Sequence, residues 1–155
     1  MDFGLSWLYG PASLRGEYMI VKQELIDAAP RSSFQVKGFS VQGTFLLTGE
    51  EKALENRVKP KNNLNPLEGG WGAFELAARY ARVDVSDAED AGLIAATANQ
   101  KTSQVTTGLN WWWTSNMCVR FNWEHLMFDE DLAIGKGDSL EGKQDIFYVR
   151  WQIDF

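Results

Sequence analysis

The last eleven residues, Asp145-Ile146-Phe147-Tyr148-Val149-Arg150-Trp151-Gln152-Ile153-Asp154-Phe155, alternate regularly from Phe147 onward. Phe147, Val149, Trp151, Ile153 and Phe155 fall on one side of an extended chain, and Tyr148, Arg150, Gln152 and Asp154 on the other, because strand side chains alternate with period two. One face is apolar and the other is wet. Such a strand belongs at a boundary between an apolar medium and water, which a soluble β-sandwich and a membrane barrel both provide. The run therefore fixes a strand and leaves the medium open.

Six more runs carry the same alternation, at about residues 3–9, 13–25, 34–48, 71–85, 102–114 and 117–128. Leu14, Gly16, Tyr18 and Ile20 oppose Arg15, Glu17, Met19 and Val21; Phe39, Val41, Gly43, Phe45 and Leu47 oppose Gly38, Ser40, Gln42 and Thr44. Phe74, Leu76, Ala78 and Tyr80 oppose Glu75, Ala77, Arg79 and Ala81; Val105, Thr107, Leu109, Trp111 and Trp113 oppose Thr106, Gly108, Asn110 and Trp112. The connections alternate in length. Gly10-Pro11-Ala12 is a tight turn, since Pro presets a turn dihedral and Gly accepts unusual ones, and Thr114-Ser115-Asn116 closes a hairpin. Residues 26–33, 86–101 and 129–143 are loops. Residues 49–70 form the longest irregular stretch, with a short helical turn across 50–57 as an option.

Runs of roughly seven to fifteen residues exceed the five or six typical of globular sheets and match a tilted membrane crossing. Seven Trp and 13% aromatic residues in a chain with no long apolar run exclude a helical membrane protein, which needs about 18 consecutive apolar residues. They fit a transmembrane barrel, in which half of each strand faces lipid. The expected fold is all-β, an antiparallel up-and-down transmembrane β-barrel, with all 155 residues in one barrel domain.

A formal charge of −6 without a basic run speaks against nucleic acid as a partner. Cys118 is the only cysteine, so neither an internal disulfide nor a cysteine metal site is expected; it reads as a small wall residue. No cofactor is expected. Glu75, Glu124 and His125 lack an accompanying nucleophile or motif, so enzyme chemistry is not expected. Asp87, Glu89 and Asp90 in one loop and Asp129, Glu130 and Asp131 in another lack a calcium-loop spacing; they read as solvated outer loops, open to bridging by divalent ions to lipid phosphates. Met1-Asp2-Phe3-Gly4 does not open a signal peptide, so either the protein is cytoplasmic or the chain lacks its beginning.

Several segments together resemble the phosphate-selective porin O and P family. They are Trp7-Leu8-Tyr9-Gly10-Pro11 with Arg15-Gly16-Glu17-Tyr18, Leu46-Leu47-Thr48-Gly49-Glu50 with Val58-Lys59-Pro60, the run from Gly69-Gly70-Trp71-Gly72 through Ala73-Phe74-Glu75-Leu76-Ala77-Ala78-Arg79-Tyr80, Gly108-Leu109-Asn110-Trp111, and the terminal strand. The Gly-Ala-Phe-Glu-Leu-Ala-Ala-Arg-Tyr run is the most specific. The resemblance implies a bacterial outer-membrane porin of sixteen strands, a homotrimer passing small, phosphate-like anions, of which these seven strands correspond to the carboxy-terminal half. The aromatic ending at Phe155 resembles the signal by which the barrel-assembly machinery recognises its clients. A fragment is then expected, since single-chain bacterial barrels use even strand counts from eight upward.

Two sets of candidate site residues follow. Arg15, Arg79, Arg120 and Arg150 fall on polar faces and would line the pore as cationic steps, with Glu17, Glu75 and Glu124 beside them. Because a carboxylate lies within a few residues of each, with Asp154 serving Arg150, mutual bracing is the favoured expectation. The second set is Lys52, Arg57, Lys59 and Lys61 in residues 49–70, which either fold into the lumen and set selectivity or stay on a solvated surface loop. On that expectation the Lys59 and Lys61 pair outweighs Arg79 in selectivity. Trp111, Trp113, Trp151 and Phe155 suit an interfacial aromatic girdle against outer-membrane lipid. A plugged structural or binding barrel and a soluble β-sandwich binding module remain the rival readings.

Overall fold

The computed structural model describes the chain except residues 26–31, 53–56, 91, 93–98, 130–131, 135–137 and 141. Its strands are β1 (Asp2–Tyr9), β2 (Ala12–Leu25), β3 (Ser32–Leu46), β4 (Ala73–Asp84), β5 (Lys101–Thr114), β6 (Met117–Phe128), β7 (Leu132–Ile134), β8 (Asp138–Leu140) and β9 (Lys143–Ile153). Seven of them form one sheet in the order β1-β2-β3-β4-β5-β6-β9. Every neighbouring pair is antiparallel, so the topology is up-and-down, and the sheet is open, with β1 and β9 as its edges. Among the described residues no helix is long and apolar enough to cross a membrane, which leaves crossing by strands untouched.

The alternation expected from sequence is realised because each register keeps like faces together. Ser6, Arg15, Gln42, Arg79, Thr106 and Glu124 stand opposite one another across six strands. The row Trp7, Leu14, Gly43, Ala78, Thr107, Trp123 and Phe147 projects from the other face. A register slip of one residue would exchange the two faces wholesale. The turn at Gly10 uses φ of 52°, a left-handed conformation that glycine adopts at no steric cost. At the other short turn the Asn116 carbonyl accepts from the Asp154 N–H at 2.9 Å, and the Asn116 side-chain amide donates to the Asp154 carbonyl at 3.0 Å. That clamp fastens the terminal strand to its neighbour.

Two loops hold more structure than their composition announced. Asp87–Asp90 is a single helical turn, α1, and the Asp87 carboxylate accepts the Gln35 N–H at 3.0 Å, satisfying a donor of β3 beyond the end of β4. β7 and β8 pair as a small separate hairpin within the loop that leads to β9. The helical turn considered for residues 50–57 falls largely on residues 53–56, outside the described ones. Pro66–Glu68 is one turn of 3-10 helix.

Residues 47–72 leave and re-enter the sheet at the end that also carries both short turns and Phe155. The described residues of this connection fold back against the polar side of the sheet. Val58 is buried with Leu46, Ala73, Trp112 and Cys118, and the last four project from that same side. The connection is also held by its backbone: Lys52 N–H donates to the Gly10 carbonyl at 2.8 Å, and Leu64 N–H to the Trp113 carbonyl at 2.8 Å. Glu50, 4% exposed, accepts from the Thr48 hydroxyl and from the Lys61 N–H at 3.2 Å. Burial opposes ionisation of Glu50, but the Thr48 hydroxyl, backbone donors and the Lys61 ammonium outweigh it and hold the carboxyl below its ordinary value.

A carboxyl depressed in the folded state adds stability that is complete above its ordinary value and lost as pH falls through the folded one. Acidification is therefore expected to loosen residues 57–65, seen as faster limited proteolysis there at acidic than at neutral pH. Glu50→Gln should flatten that pH response. Gly72 has φ of 73°, and a Cβ there would strike the Trp112 carbonyl. Gly72→Ala should cost about 1–3 kcal/mol from the backbone alone, read as a lower melting temperature of the folded protein.

Candidate functional site

The polar side of the sheet forms a groove of about 420 Å³. It collects Arg15, Arg79, Arg120, Arg150, Glu75 and Glu124 from β2, β4, β6 and β9, together with Lys52 from the connection. Glu17 projects from the same side of β2 but lies outside this groove and is exposed. Of the four cations singled out in the connection, Lys52 alone enters; Arg57, Lys59 and Lys61 are exposed, and the Lys61 ammonium donates to the Thr48 carbonyl at 3.4 Å.

The bracing of arginine by neighbouring carboxylates does not form. Among the described residues the ion pairs are Lys52 with Glu75, Lys101 with Asp84 and His125 with Asp145. Glu75 is 2% exposed and its carboxylate is filled by Lys52, by the Asn110 amide at 3.0 Å and by the Trp112 indole N–H at 3.1 Å. Glu124 accepts the Tyr148 hydroxyl at 2.8 Å, and Asp154 accepts the Gln152 amide at 3.1 Å. Sequence distance to a carboxylate misled because strand neighbours two residues apart are less close than partners across the ladder. What stands across from Glu75 is Asn110, and across from Arg120 is Arg150.

Among the described residues these arginines form no ion pair. Arg15 Nε donates to the Ser6 hydroxyl at 3.2 Å. The Arg120 guanidinium lies 5.7 Å from the Trp112 ring centroid, within range of a cation–π contact, while its buried Nε has no hydrogen-bond partner. Five cationic and two anionic side chains line the groove, an excess of three positive charges. Low-dielectric walls concentrate such an excess along the groove and attract small anions. Trp112, Asn110 and Tyr148 organise this arrangement, and none was singled out from sequence; the usable signal was an aromatic residue, Trp112, falling on the polar side of its strand.

The opposite, outward face is apolar and bare. Phe45, Leu76, Phe121, Phe147, Val149 and Trp151 are all exposed there. Near the short-turn end Phe74 stacks on Trp111 at 5.7 Å, Trp111 meets Trp113 edge-on at 5.4 Å, and Trp113 contacts Trp151 at 6.2 Å. The Trp111 indole donates to the Trp71 carbonyl at 2.7 Å. Three of the four expected girdle residues therefore share one cluster, whereas Phe155 stands fully exposed beyond the strand end. Among the described residues no group of His, Cys, Asp and Glu could hold a metal ion.

The sequence profile of the family described as phosphate-selective porin O and P matches residues 4–155. Porin O of Pseudomonas aeruginosa is 28% identical over 112 residues, which cover 69% of this chain and 25% of that protein. The matched part thus spans a quarter of the length of that relative. A profile running almost from end to end, on an antiparallel sheet with one apolar and one charged face, leaves one assignment: the chain belongs to the phosphate-selective porin O and P family.

Proposed function

We propose that the seven-stranded sheet is one arc of a closed outer-membrane barrel whose polar side lines a channel for passive diffusion of small, phosphate-like anions. The observation that carries this reading is the groove in which Arg15, Arg79, Arg120 and Arg150 form no ion pair among the described residues, while the neighbouring carboxylates are engaged by Lys52 and by neutral donors. Conduction needs sites that attract an ion yet release it. Guanidinium groups on β2, β4, β6 and β9, unpaired among the described residues, provide such sites, and the bare apolar face provides the surface for lipid. Edges at β1 and β9 would be costly in a bilayer unless further strands paired with them. The barrel functions without catalysing a reaction, assembles as a homotrimer, and reaches the membrane through the barrel-assembly machinery, to which the terminal strand presents its aromatic ending.

The selectivity expectation now turns from the connection to the wall. In the intact porin, Arg120→Gln with Arg150→Gln should shift the planar-bilayer reversal potential toward cations, several-fold more than Lys59→Glu with Lys61→Glu. Dominance of the lysine pair would place selectivity in the connection instead. A second reading, a barrel plugged for binding or support, is favoured by one observation: the connection is docked on the polar side through Val58 and the Lys52–Glu75 ion pair. Lys52→Ala raising single-channel conductance severalfold from near zero would support the plug.

For the terminal strand, Trp151→Asp places a charge on the outward face, a cost that depends on depth. Together with deletion of Phe155 it should lower the heat-modifiable, membrane-inserted form of the intact porin at least about two-fold. Undiminished insertion of both variants would remove the terminal strand from assembly.

A further inference from the structure

The outward face changes character toward the loop end. Tyr18, Phe39 and Tyr80 close the apolar zone, with Phe39 and Tyr80 rings 5.7 Å apart and the Tyr80 hydroxyl donating to the Ser103 hydroxyl at 3.3 Å. On the same face Lys37 follows Phe39 and Arg82 follows Tyr80 directly, while Ile20 separates Tyr18 from Lys22. Arg82 stands opposite Phe39, Lys37 stands opposite Asp84, Asp84 stands opposite Lys101, and Lys22 stands opposite Gln35. Four adjacent strands, β2 to β5, thus each contribute one basic side chain to a band on the loop side of the aromatics.

The acids of this region are largely engaged. One Asp84 oxygen accepts the Ser86 N–H at 3.0 Å and the Ser86 hydroxyl at 2.6 Å, and the other faces Lys101 at 4.0 Å. Asp87 caps the Gln35 N–H, Glu89 accepts the Gln100 amide, and Glu24 sits at the outer margin opposite Ser33. Lys22, Lys37 and Arg82 form no ion pair among the described residues. Lys22 and Lys37 are exposed.

We propose that Lys22, Lys37, Arg82 and Lys101 form an external docking surface for the phosphate groups of a phosphorylated lipid headgroup in the outer leaflet. The inference rests on the porin reading, because only a barrel arc in a membrane puts this face at headgroup depth. Tyrosine and tryptophan mark the interface between hydrocarbon and water, and long basic side chains just beyond it extend to lipid phosphates. Free phosphate is not the occupant: the band lies on the face opposite the groove and adjoins apolar surface that an acyl chain covers. Strands about 4.8 Å apart spread the four cations over a width that suits a headgroup with more than one phosphate.

The test uses the intact porin purified in detergent, probed by native mass spectrometry with bisphosphorylated lipid A and with its dephosphorylated form. The parent protein should retain the bisphosphorylated lipid about ten-fold or more better than the dephosphorylated one. Lys37→Gln with Arg82→Gln should abolish most of that difference while leaving the channel's reversal potential unchanged, and excess inorganic phosphate should not displace the lipid. Lys22→Gln, at an exposed position, should give a smaller loss in the same direction if the double variant folds poorly. Equal retention of the two lipids by the parent, displacement by inorganic phosphate, or altered ion selectivity in the double variant would overturn the proposal. Conductance of the same preparation keeps the two readings apart: a conducting protein indifferent to lipid phosphate sinks only this inference, and a lipid-binding protein that never conducts sinks the porin reading.

Discussion

The backbone ladder between antiparallel neighbours is the interaction on which everything else here depends. Pairing each strand only with the preceding and following strand satisfies the main-chain donors and acceptors locally, and it leaves both faces of the sheet free to be specialised. Because the side-chain period is two, the register at each of six interfaces, shifted between Trp112 and Thr114 where β5 meets β6, decides which residues meet apolar surroundings and which meet the groove. The Asn116–Asp154 clamp and the left-handed turn at Gly10 set that register at the short-turn end. The charged groove and the aromatic cluster are consequences of the same alignment.

Within the groove, Glu75 is the residue that determines what the others can do. Its carboxylate is buried, and a buried charge must be met by partners; Lys52, Asn110 and Trp112 supply them. That engagement does two things together. It anchors the described residues of the 47–72 connection on the polar side of the sheet, and it withdraws the Glu75 carboxylate from Arg120. The docking of Lys52 into the groove and the separation of Glu75 from Arg120 therefore share a single cause.

The architecture was legible in the sequence almost strand by strand, because alternation and turn residues are local signals. The strand at 102–114, for example, forms as Lys101–Thr114. Face assignment was legible for the same reason: Arg79 and Glu75 do share the polar side. Their partners were not legible. Lys52 reaches Glu75 from 23 positions away, and Asn110 reaches it from 35, so proximity along the chain carried no information about who neutralises whom. The fate of Lys59 and Lys61 was equally hidden, since burial of Val58 between them and the groove is a tertiary event. Short structure inside loops, such as α1, depends on capping a β3 donor that sequence alone does not expose.

The pairing of Arg120 directly opposite Arg150 runs against sheet stability, since like charges opposite one another are destabilising by roughly a few tenths of a kcal/mol to 1 kcal/mol. A structural wall would place a carboxylate at one of these positions. Instead Trp112 lies under Arg120, offering a ring face that accepts the cation without neutralising it, and Asn110 and Tyr148 give their hydrogen bonds to Glu75 and Glu124. The arrangement leaves both guanidinium groups without an ion pair among the described residues. On the proposed channel reading, an anion arriving between them would relieve the repulsion while it stays and restore it on leaving, so the same mismatch that weakens the wall would limit how tightly any one anion is held. Transient occupancy of that kind is what separates a path for diffusion from a binding site.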